Sequence, residues 1–77
     1  MFAPITFEED DRGGLRTIAS AGAAEQVLSD WWSIPRGPLY LFAARACLAA
    51  REGSGSEEAA HEAFRAALIE AGLFVRQ

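Results

Sequence analysis

A chain of 77 residues supports one domain, and a domain of this size buries only about 60% of the surface its unfolded form exposes. Its 51% hydrophobic content is enough for a packed core, yet Arg36, Arg45 and Arg51 break the longest apolar stretch well short of the roughly 20 residues a membrane span needs. With 11 acidic against seven basic residues the net charge is −4, which argues against binding a nucleic-acid phosphate backbone, where affinity comes from clustered Lys and Arg.

The first segment sets Ile5 and Phe7 two apart with Thr6 and Glu8 between them, the period of a half-buried strand. Asp10-Asp11-Arg12-Gly13-Gly14 supplies turn residues, and Leu15 to Ala19 resumes the extended pattern, so a β-hairpin is predicted over 3–19. Its acidic residues lack the alternating spacing and distal glutamate of an EF-hand loop and read as a solvated turn.

Ser20 is placed to cap a first helix over 20–32, with Ala24, Val27, Leu28 and Trp31 on one face. Pro35 and Gly37-Pro38 end it and start a second helix over 38–52, with Pro38 suited to the first turn. Leu39, Leu41, Phe42, Leu48 and five alanines surround that helix almost completely, the composition of one buried between neighbours. Gly53-Ser54-Gly55 closes it. Ser54 or Ser56 then caps a third helix over 56–71, with Glu57 and Glu58 in its first turn and Ala60, Ala63, Phe64, Ala67, Leu68 and Ala71 as its apolar stripe. Gly72 stops it and leaves Leu73-Phe74-Val75 as an apolar tail, a short C-terminal strand in the making. The fold class is therefore α+β, one domain over 1–77, with an N-terminal hairpin packed on three helices.

Trp31 or Trp32, Arg36-Gly37-Pro38, Tyr40, Ala46-Cys47, Ala50, Gly53, Glu58-Ala59, Ala63-Phe64, Ala67 and Glu70-Ala71-Gly72 fall in an order that resembles a small alphaproteobacterial family, common in rhizobia, catalogued as domain of unknown function 982. The resemblance covers most of the chain and is densest from Val27 to Val75. It implies no activity. One departure is visible: Ala60-His61 stands where the family usually has Ala-Arg before the Phe.

Few residues carry chemistry. A lone cysteine, Cys47, offers neither a disulfide nor a zinc-type pair, and its mid-helix place among apolar residues reads as packing, although His61 could act as its base if the second and third helices met face to face. His61 stands among Glu57, Glu58, Glu62 and Arg65, a polar neighbourhood that predicts an exposed side chain, and one histidine makes no zinc site. Arg36-Gly37, ahead of the second helix's N-terminal N–H groups, suits a small anion. Trp31 and Trp32 lie about 100° apart around a helix, so one anchors the core and the other, taken as Trp32, is a contact residue.

No catalytic, cofactor or metal-binding residue is assigned. The expected role is that of a small interaction or regulatory module, with Trp32, Arg36, Gly37 and Phe74 as contacts to a partner or an anion, and the apolar tail joining two copies into a homodimer. The alternative is a small enzyme or anion-binding protein using Arg36 and the start of the second helix with Cys47 or His61. Neither nucleic acid nor a membrane is expected as a partner. Met1 to Asp11 lacks the basic residue and apolar run of a secretory signal, so the expected location is cytoplasmic.

Overall fold

The computed structural model describes residues 2–8, 14–31, 37–72 and 75–76, the side chains of 30, 31 and 76 aside. Its elements are strands β1 (Ile5–Glu8) and β2 (Leu15–Ile18), helix α1 (Ala21–Gln26) running on into a π-helical turn (Val27–Trp31), helices α2 (Pro38–Glu52) and α3 (Glu57–Glu70), and strand β3 (Val75–Arg76). This is the α+β architecture expected, an antiparallel hairpin followed by three helices.

β1 is the central strand, with β2 and β3 antiparallel on either side. The pairs Ile5–Ile18 and Phe7–Arg16 lie on one face, and Thr6–Thr17 and Glu8–Leu15 on the other, because alternate residues of a strand point to opposite sides. Ile5, Phe7 and Ile18 are buried against the helices, and the two Thr hydroxyls hydrogen-bond at 2.9 Å on the outer face. That register explains why Leu15 is exposed: it belongs to the outer face, opposite Glu8. β3 sets Val75 beside Phe7, so the apolar tail finishes the sheet of its own chain.

Caps form where the sequence places them. Ser20 Oγ accepts from the Ala23 N–H at 3.1 Å, and Ser56 Oγ, rather than that of Ser54, accepts from Ala59 at 3.0 Å. Gly53 ends α2 with φ +84°, a left-handed conformation that glycine adopts without penalty, and the N–H groups of Ser54 and Gly55 turn back to the Ala49 carbonyl at 2.9 and 3.0 Å.

The core lies between the sheet and the helices. Phe7 meets Phe64 edge to face at 6.3 Å, and Leu28, Ala43, Cys47, Ala60, Ala67 and Leu68 are fully enclosed around them. Alanines on α2 and α3 let these two helices, the most extensive helix pair, approach closely. The Tyr40 hydroxyl donates a buried 2.7 Å hydrogen bond to the Leu28 carbonyl in the π turn, tying α2 to the end of the first helix. On the outside, Arg51 near the end of α2 pairs with Glu25 of α1 at 3.2 Å.

The structure corrects the expectation that the second helix is enclosed on all sides. Tyr40, Ala43 and Cys47 face inward, but Leu41, Phe42 and Leu48 are 57%, 66% and 40% exposed. The reason is geometric: α2 packs chiefly on α3 and α1, which meet its Tyr40, Ala43 and Cys47 face, and Leu41, Phe42 and Leu48 point away from that contact.

Candidate functional site

Three places combine the candidate residues, and the first is the start of α2. Trp32, Arg36 and Phe74 lie outside the described residues; Gly37 is the N-cap of α2, and Pro38 occupies its first turn. A carboxylate already sits there. Glu70, the last residue of α3, extends its side chain so that Oε1 accepts from the Leu39 N–H at 3.3 Å. The negative charge faces the positive end of the α2 dipole, where it is favoured. Gly37 makes room for it, since a Cβ at that position would run into the Glu70 carboxyl group. The anion seated at this helix start is thus supplied by the chain.

Sequence reasoning missed Glu70, although a signal was present. A glutamate closing a helix with no basic residue in its last turn has the wrong sign for its own helix dipole. It has the right sign for the helix that starts beside it.

The second place is the pair Cys47 and His61. Cys47 is fully buried, and burial, with Glu25's charge adding to it, pushes the thiol up from 9.0 to about 11. The neutral thiol is therefore the native form, unsuited to attack. His61 overturns the expectation of an exposed side chain: it is only 13% exposed, because the ring of Phe2 lies edge-on against it at 5.3 Å. Its Nδ1 stands 3.7 Å from Glu62, and its Nε2 is buried without a hydrogen-bond partner. No hydrogen bond joins it to Cys47, so α2 and α3 do meet but do not assemble a thiol and its base. Phe2, which precedes the patterned part of the hairpin, gave no periodic signal of this cover. Among the described residues no group of three His, Cys, Asp or Glu could hold a metal ion, and no helix is long and apolar enough to cross a membrane.

The third place is the uncovered side of α2. Pro38, Leu41, Phe42 and Arg45 line an open depression of about 180 Å³, and Leu48 and Glu52 continue the same face toward the end of the helix. Spacings of three and four residues put them in one stripe. Its chemistry is that of contact: two large aliphatic side chains, one aromatic ring and two opposite charges, with no histidine, hydroxyl or thiol among them.

Comparison with known families bears on the whole chain. The family described as "Protein of unknown function (DUF982)" matches residues 3–75. The chain belongs to the DUF982 family. No curated protein and no solved structure matches it. The DUF982 match takes in the hairpin, all three helices and Val75 of β3, so both Gly37 and its occupant Glu70 belong to the matched region.

Proposed function

We propose that this DUF982 chain is a small cytoplasmic interaction module that acts by presenting the uncovered face of α2 to a protein partner, without catalysis. One observation carries the reading: Leu41, Phe42 and Leu48 stand exposed together on a well-formed helix whose opposite face is fully engaged in the core. Soluble domains seldom leave large apolar side chains grouped in water unless something meets them there. Phe42 and Arg45 line the depression together, and aromatic residues and arginine are enriched at protein contacts.

The alternative, an enzyme or anion-binding protein built on Arg36, Cys47 or His61, draws less support. The thiol is buried and neutral, and the helix start holds Glu70.

The test compares two baits in the native host, the wild-type chain and Phe42→Asp, by quantitative mass spectrometry of what each retains. Phe42 is exposed, so the substitution leaves the core intact. Retention that falls with Phe42→Asp supports the reading. Equal retention by both baits, or none by either, removes it.

A further inference from the structure

The uncovered face of α2 carries two charges whose placement says what fits it. Arg45 and Glu52 lie seven residues apart, both exposed and neither in an ion pair among the described residues. Seven residues are two turns, so both side chains point the same way, about 10 Å apart along the axis and too far to pair with one another.

We infer that the occupant of this face is a second copy of the chain, its α2 laid antiparallel across the first so that Arg45 of each copy meets Glu52 of the other. This rests on the reading of α2 as an interaction face. A two-fold axis crossing the helix midway between Leu48 and Ala49 exchanges positions 45 and 52, so one operation makes both ion pairs and sets Leu48 against Ala49 at the centre. It carries Leu41 and Phe42 over the Gly53–Ser56 turn of the other copy, where two glycines and two serines leave room for a ring. Two competing arrangements fail on charge. An axis through Arg45 sets one guanidinium against another, and a parallel pairing opposes Arg45 to Arg45 and Glu52 to Glu52. A charge pattern that satisfies itself twice under one two-fold rotation is what a self-complementary surface requires. The tail leaves this face free, since β3 is spent on its own β1.

Sedimentation from micromolar to millimolar chain tests the arrangement. The wild type should move toward twice the 8.3 kDa chain mass with rising concentration. Arg45→Glu and Glu52→Arg should each weaken association by about tenfold or more, because each places like charges together twice. An equimolar mixture of the two variants should associate as well as the wild type, since the mixed pair has opposite charges at both contacts. Helical circular dichroism confirms that each variant is folded. A wild type that stays monomeric, charge variants that associate unchanged, or a mixture no tighter than its components would each overturn the inference. These outcomes separate from the test of the interaction face. A monomeric wild type whose bait still loses its retained proteins on Phe42→Asp removes the second copy and keeps the face, the occupant then being a different protein. A dimer indifferent to Phe42→Asp and to both charge variants lies elsewhere on the molecule and removes this arrangement.

Discussion

Tyr40→Phe isolates a single atom. The hydroxyl lies 2.7 Å from the Leu28 carbonyl in a buried contact, and the ring that carries it is 8% exposed. The substitution leaves the ring and its packing in place, so no cavity opens, and the cost is that of the hydrogen bond. A typical protein hydrogen bond contributes a net ~0.5–1.5 kcal/mol, and leaving the buried carbonyl without this donor raises the loss toward ~1–3 kcal/mol. We expect ~1.5 kcal/mol. A chain of 77 residues has a total stability of ~4–12 kcal/mol, so the loss is a sizeable fraction of it. At ~4–8 °C per kcal/mol for a domain this small, the melting temperature should fall by ~6–12 °C. Urea unfolding followed by circular dichroism measures it as a lower midpoint at unchanged slope. Thr17→Val is the control, since it deletes an exposed hydroxyl whose hydrogen bond to Thr6 lies on the solvent side, and it should stay within ~0.5 kcal/mol. A Tyr40→Phe loss no larger than that of the control would refute the account of α2 as tied to the π turn through this bond.

Gly37→Ala should destabilise by ~0.5–1 kcal/mol by pushing Glu70 off the α2 N terminus, whereas in a Glu70→Ala background the same change should be neutral or slightly stabilising, which a double-mutant cycle in urea would read. Cys47 should react with a thiol reagent only at the rate at which the chain opens, and denaturant should release it at once; rapid labelling of the folded protein at neutral pH would contradict the packing. The folded thiol holds its proton more tightly than the unfolded one, so its contribution is complete below pH 9.0 and declines as the pH rises toward about 11, by ~2–3 kcal/mol in all; Cys47→Ala should flatten that decline in pH-dependent melting. Ser56→Ala should cost ~1 kcal/mol by leaving the Ala59 N–H without its acceptor, again measured in urea.

The elements were legible because each depends on local pattern. Ile5 and Phe7 alternate with polar residues, Ser20 and Ser56 stand at helix starts, and Gly53 stands at a helix end. What escaped was whatever depends on residues distant in sequence. Glu70 and Leu39 are 31 positions apart, and composition says nothing of their meeting. His61 looked exposed because its sequence neighbours are charged, but burial is decided by what lands on a side chain, and Phe2 comes from the far end of the chain. The second helix misled for a related reason. An apolar surround reads as burial, yet apolar residues that a fold cannot cover look the same in sequence as those it covers. The uncovered face of α2 was therefore invisible until the number of its neighbours was known.

The placing of β1 between β2 and β3 also sets the order in which the molecule can be finished. On the ribosome β1 gains β2 as soon as the hairpin emerges, while its second neighbour arrives with Val75 and Arg76, after all three helices have been synthesised. Until then the Thr6–Phe7 edge of a nascent chain carries open N–H and C=O groups, the kind of edge that recruits strands from other molecules. Val75 and Arg76 therefore do more than extend the chain: they close the sheet, and a chain cut just before them would keep its helices and leave its central strand open along one side.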